Sequence, residues 1–300
     1  MARERLLNSA RLSALLGDGG LDAIIASSPA NLFYVSGTMI ISHRPSSHRL
    51  EMAILSPRHD PTLIICQIEE SLTRHDSWVH DIRPYVLFQT KPMDLMAQVI
   101  REKGFARGRL GIEKRYIRAE YLAELARALP EARIDGCDDL FDRARAVKTP
   151  GEIRRLTDAA VATETAIERS LAATRLGCTE RELAERLSVQ VAELGADDSY
   201  HVVAAGDRTA FPFNRAGLAA LEPGDLVRVQ SIGSFDGYAA VATRLAVVGE
   251  PSTSQCDTYS RVCEIQEAVK QVHVDPSIAR YIVSIVQATR DHPEVYLGSS

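Results

Sequence analysis

The sequence predicts a two-domain protein, an α/β domain followed by an α+β domain, and three observations carry that expectation. Short apolar runs alternate with helix-periodic stretches over roughly residues 1–140. From Pro150 two long helical patterns follow one another. After Gly195 the chain changes to strand-like stretches joined by glycine-containing turns. A chain of 300 residues is long enough to bury two cores.

Taken in order, residues 4–18 place Leu6, Leu7, Leu15 and Leu16 at helical spacing and end at Gly19-Gly20, a helix stop. Leu21 to Ala26 reads as a buried strand closed by Ser-Ser-Pro. Met52–Leu55 and Thr62–Cys66 read as two more strands, separated by a turn over Ser56–Pro61. Helical spacing returns over 92–103, a short strand follows at 109–113, and a helix at 118–129. Beyond Pro150, Ile153, Leu156, Ala160, Ile167 and Leu171 are expected on one face of a long helix that Gly177 stops. Thr179 with Glu182 forms a capping box, and Leu183, Leu187, Val191 and Leu194 share one side of the next helix. Strands are expected at 199–205, 226–232 and 238–248, then two helices broken at Val272–Pro276. The expected divisions are residues 1–142, 143–261 and 262–300.

Composition narrows the function classes. Apolar residues are 45% and charged residues 25%, as in ordinary globular proteins. A formal charge of −5 gives a polyanion no basic surface, so a nucleic-acid partner is not expected. The local run Arg143, Arg145, Lys148, Arg154, Arg155 reads as a solvated hinge or helix start. No apolar run reaches the ~18 residues of a spanning helix, so no membrane partner is expected. Cys66, Cys137, Cys178, Cys256 and Cys263 are scattered without CxxC spacing, which suits reduced thiols in a cytoplasmic protein.

Several segments, in order and spacing, resemble the creatinase and Xaa-Pro peptidase ("pita-bread", M24) family over about residues 5–260. Gly20–Ile25 followed by Pro29-Ala30-Asn31-Leu32-Phe33-Tyr34-Val35-Ser36-Gly37 is similar to its N-terminal domain. Arg145–Ile153 looks like the entry into its catalytic domain. Glu222–Val227, Phe235-Asp236-Gly237-Tyr238, Thr243-Arg244 and Val248–Ser252 match its first central strands. The resemblance implies a creatinase-like α/β domain followed by a pita-bread domain, here incomplete because the later strands are not legible. It also implies a homodimer, and an ancestral ligand that is a proline-containing peptide or a small guanidino or amide compound.

Members of this family commonly bind two divalent metals such as Mn, Co or Zn, which activate water for hydrolysis of a C–N bond. The first two family ligands are aspartates eleven residues apart, and the matching positions here hold Gln230 and Val241. A Pro-His pair that contacts substrate is replaced by Pro212-Phe213, and phenylalanine moves no proton. No metal or other cofactor is therefore expected, and no catalytic residue is assigned, although Tyr238 is expected near the site. The resemblance then implies a truncated pseudoenzyme. Two alternatives stay open: a non-catalytic dimeric interaction module, and a metal-free creatinase-like hydrolase needing a base near Tyr238.

Other candidates reduce to simpler readings. Asp225 and Asp236 suit turn chemistry. His43 and His48 beside Arg44 and Arg49, and His75 and His80 around Trp78, read as surface histidines; His201, near a strand start, has no neighbouring acid cluster. Residues 265–275, 279–283 and 288–298 are similar to the lid region of MoxR-type AAA+ ATPases, but no Walker loop occurs in the chain.

Overall fold

The computed structural model describes residues 4–40, 49–272 and 275–291. His43, Arg44 and His48 lie outside the described residues, as do His273, Val274 and the stretch 292–298.

The first domain runs α1 (Ser9–Gly19), β1 (Ala23–Ala26), α2 (Pro29–Ser36), β2 (Met52–Ser56), β3 (His59–Cys66), α3 (Glu70–Asp76), β4 (Asp81–Tyr85), α4 (Pro92–Glu102), β5 (Arg109–Ile112), α5 (Ala119–Ala128), β6 (Arg133–Gly136) and α6 (Asp138–Ala146). Its six strands form one mixed sheet in the order β4-β3-β2-β1-β5-β6. The pairs around β2 are antiparallel and the outer ones parallel. The central strands are apolar on both faces, because a core lies on each side. Leu12, Leu16, Leu32, Val35 and Phe141 cover one face, and Met93, Met96, Ile100 and Leu125 the other.

Asn8 caps α1 at Ser9, so Leu6 and Leu7 are buried ahead of the helix rather than in it. Gly20 ends α1 in the left-handed conformation, as its sequence position requires. Strand β3 starts at His59, which shortens the expected turn to Pro57-Arg58. The last helix, α6, continues to Ala146, four residues beyond the expected division at 142.

Pro150 is the first residue of a helix. Thr149 and Glu152 cap α7 (Pro150–Ala172) reciprocally, and the proline occupies a position whose N–H would have no partner anyway. The buried face of α7 carries Ala159, Thr163, Ala166, Ile167 and Ser170. Ile153 is instead 54% exposed and Ala160 also points to water, which corrects the expected stripe. Small residues let the helix lie close on the strands behind it. α8 (Glu180–Glu193) follows with its predicted capping box and buries Leu183, Leu187 and Val191.

β7 (Asp198–Ala205), β8 (Leu226–Phe235) and β9 (Tyr238–Val247) form an antiparallel sheet in that order. α7 and α8 cover one of its faces through Ile167, Leu183, Leu187, Val203, Val227 and Val229. α9 (Thr253–Lys270) and α10 (Pro276–Asp291) complete the described chain. α9 begins with a capping box of Ser252 and Gln255 and passes through residue 262 as unbroken helix.

Candidate functional site

The β8–β9 hairpin is closed by two residues, Asp236 (φ 48°) and Gly237 (φ 78°), both in the left-handed region that the tightest hairpin turn requires. That turn fixes the register, with Phe235 opposite Tyr238, Ile232 opposite Val241 and Gln230 opposite Thr243. Side chains alternate across a strand, so Val227, Val229, Ser231 and Gly233 face the helices, and Gln230 and Ile232 face the other way. Gln230 and Val241 therefore stand on the same face as diagonal neighbours, and Val241 is 59% exposed.

The loop that carries Phe213 is tied to a side chain of the same face. Arg228, two residues before Gln230 and on its side, bonds to the Phe211 carbonyl and to Asn214 Oδ1 (3.4 Å). Asn214 Nδ2 donates to the Val203 carbonyl (2.6 Å). The fully buried Glu180 holds the two ends of this loop, accepting from Ala205 N (3.0 Å), Arg208 Nε (2.9 Å) and Gly217 N (2.8 Å). Phe213 itself is 77% exposed. Gln230 and Val241 thus share one open face, to whose Arg228 the loop carrying Phe213 is tied, and the chemistry of the three is an amide, an isopropyl group and a phenyl ring.

This donor set does not fit a pair of divalent cations. Such ions take hard, charged oxygens and imidazoles; Gln230 offers one neutral oxygen and Val241 none. Among the described residues, no three His, Cys, Asp or Glu side chains converge as a metal-binding group.

The remaining sequence candidates are dispersed. Asp225 accepts from Glu222 N (3.0 Å) within its turn, and Asp236 pairs with Arg155 (3.4 Å). His75 pairs with Asp76 (2.8 Å); it and His80 are exposed, and Trp78 lies under the Arg5 guanidinium. His201 points away from Gln230, its Nδ1 3.0 Å from Ser231 Oγ on the helix-facing side. Burial there pushes its pKa down, which favours the neutral ring.

Tyr238 lies near this face, at the junction of the two domains, and it brings in a residue that sequence reading missed. Its hydroxyl donates to Glu152 Oε1 (3.2 Å), whose other oxygen accepts from Thr149 N (2.7 Å) in the capping box of α7. Glu152 is buried, and the Thr-x-x-Glu spacing that suits it to a cap says nothing of this second role. Burial, then the Glu152 charge, raise the Tyr238 pKa, so the phenol stays a neutral donor. The Phe33 ring packs edge-on at 6.0 Å. Around them opens a cleft of about 590 Å³ lined by Leu32, Phe33, Ile40, Arg145, Lys148 and Tyr238, among others. Glu152, the carboxylate that Tyr238 touches, is thus already committed to two hydrogen bonds, which argues against its use as a general base.

The hairpin tip is wedged against the first domain. A Cβ added to Gly237 would lie 2.5 Å from the Phe33 ring, in addition to its unfavourable φ. Gly237→Ala is expected to cost roughly 2 kcal/mol and lower the melting temperature by about 4–8 °C in a calorimetric scan. A shift below one degree would mean that the tip does not bear on Phe33.

Comparison with known proteins covers nearly all of this chain. Residues 9–147 match the Creatinase/Prolidase N-terminal domain and residues 154–293 match Metallopeptidase family M24. A putative dipeptidase of Bacillus subtilis is 24% identical over 260 residues, 86% of this chain and 70% of its own length. An Xaa-Pro dipeptidase of Lactobacillus helveticus is 26% identical over 87% of this chain and 71% of its own. Among solved structures, a dipeptidase of Pyrococcus horikoshii superposes with a TM-score of 0.75 at 23% identity, covering 94% of this chain and 78% of its own. An X-Pro aminopeptidase of Thermotoga maritima gives 0.74 at 23% identity, covering 86% and 70%. At these identities the structural likeness establishes the fold alone.

Proposed function

Because the chain belongs to the creatinase and Xaa-Pro peptidase (M24) family, we propose that it is a member without the family's metal-dependent hydrolysis. The observation that carries this reading is the placement of Gln230 and Val241 as diagonal neighbours on the open face of a hairpin whose turn fixes the register. A slip of one residue would turn both side chains to the helix side, so no small shift supplies a better pair. Phe213 on the adjoining loop removes the proton-transfer group that the resemblance implies for substrate contact.

The test is to load the chain with Mn²⁺, Co²⁺ or Zn²⁺, measure bound metal and melting temperature, and assay an Xaa-Pro dipeptide. The expected result is sub-stoichiometric metal, an unchanged melting temperature and no hydrolysis. Near two metals per chain with a clear rise in melting temperature would overturn the proposal, since tight binding to the folded state must stabilise it.

A second reading, a non-catalytic interaction module, is favoured by the apolar side chains that α9 and α10 leave exposed, among them Ile265, Val269, Tyr281 and Ile282.

A further inference from the structure

The cleft beside Tyr238 carries polar groups that the chain itself leaves unanswered. Thr38 lines it at 1% exposure, and its hydroxyl has no partner among the described residues. Buried hydroxyls are nearly always hydrogen-bonded, because an unmet one forfeits its hydration for nothing. Arg145 gives its Nη2 to Asp142 (3.3 Å), but its Nε is buried without an acceptor. Lys148, also on the lining, is exposed and makes no hydrogen bond or ion pair with the described residues. Three donors therefore lack an acceptor.

The two acids of the lining do not supply one. Asp142 lies between Arg145 and Arg115, at 3.3 Å from each, and Glu152 holds the Tyr238 hydroxyl and Thr149 N. The rest of the lining is largely apolar, with Leu32, Phe33, Ile40 and Leu156 among it. Its volume of about 590 Å³ falls within the ~300–1,000 Å³ of small-molecule sites.

We infer that this cleft binds a small organic monocarboxylate, its anionic head answering the donors of Thr38, Arg145 and Lys148 and its apolar body lying along Phe33, Ile40 and Leu156. Ionised acceptors make the stronger hydrogen bonds, so a carboxylate suits an ammonium and a guanidinium edge better than a neutral group does. A dianion such as a phosphate ester suits the cleft less, because its second charge would face Asp142 and Glu152. None of Gln230, Val241 and Phe213 lines the cleft, so this site and the loss of metal-dependent hydrolysis stand or fall separately.

The test is calorimetric titration of the full chain with 3-phenylpropanoate and with its neutral counterpart, 3-phenylpropanamide. The acid is expected to bind one-to-one with a Kd of roughly 0.1 mM, in keeping with about eleven non-hydrogen atoms, and the amide at least about ten-fold more weakly. Lys148→Met, at an exposed position, and Thr38→Val, of matching shape, should each weaken the acid at least roughly five-fold. Val241→Asp, on the open sheet face, should leave it unchanged. Thr38→Val should also keep or raise the melting temperature of the unliganded chain, since it removes an unmet hydroxyl. A fall of several degrees would show that the protein itself satisfies this hydroxyl, and overturns the site. No heat up to 10 mM acid, or equal affinity for acid and amide, overturns it as well. So does binding that Val241→Asp weakens and the two cleft variants do not, which assigns the ligand to the sheet.

Discussion

Replacing Glu180 by alanine is expected to lower the stability of the second domain by about 3 kcal/mol, a fall of roughly 6–12 °C in melting temperature. The reason is what the carboxylate leaves behind. Glu180 is fully buried and accepts from two backbone amides, Ala205 N and Gly217 N, as well as from Arg208. Each amide deprived of its acceptor costs about 1–3 kcal/mol, whereas the partly exposed Arg208 can return to water. The lost bonds are those at the two ends of the loop carrying Phe213, so this loop should also gain hydrogen exchange while the β8–β9 hairpin keeps its protection. Glu180→Gln, which keeps one acceptor, should fall between. A calorimetric shift within a degree of the parent would show that the loop is held by other means.

Glu51→Gln is expected to change how stability depends on pH. Glu51 is buried in the first domain, where its Oε2 accepts from Cys66 N (2.7 Å) and its Oε1 has no partner among the described residues. Burial, with the nearby Glu69 charge adding to it, pushes its pKa up from the ordinary 4.5 to about 7. The folded state thus holds this proton more tightly than the unfolded one. Its contribution is complete below about pH 4.5 and lost as pH rises to about 7. A shift of that size corresponds to about 3 kcal/mol across the window. The glutamine variant carries no proton to lose, so it should gain on the parent by up to that amount between pH 4.5 and 8. Parallel curves of melting temperature against pH would refute the raised carboxyl.

The contrast between these two glutamates shows what the sequence could and could not disclose. Where a residue acts through its neighbours in sequence, it was legible. The capping box at Thr179 and Glu182, the Asp236-Gly237 turn and the apolar run of β1 all form as their local chemistry requires. The offset between Gln230 and Val241 follows from sequence spacing, because a two-residue turn converts spacing into register. Tertiary roles were not legible. Nothing local says that Glu180 would bond across 37 residues to Gly217, or that Glu152 would take a second donor 86 positions away. The two edge strands were missed for a related reason. β4 contains Pro84 and β6 reads Arg-Ile-Asp-Gly, compositions that only a sheet edge with one free side accommodates. Apolar periodicity also misplaced the buried face of α7, where close packing selected Ala159, Thr163 and Ala166 over the larger Ile153.

The Asp236-Gly237 connection has a consequence for how the second domain assembles. It joins two ten-residue strands with the shortest loop a hairpin allows. Closing such a loop costs little chain entropy, and isolated hairpins form in about 1–10 μs. β7 must instead find β8 across the long segment that runs from Gly206 to Asp225, and that segment acquires its shape only when Glu180 of α8 is in place. Local contacts therefore favour an early hairpin, with β7 and its loop closing late as the helices dock. The face that carries Gln230 and Val241 would then be among the first surfaces of the domain to take form, and the loop tied to its Arg228 among the last.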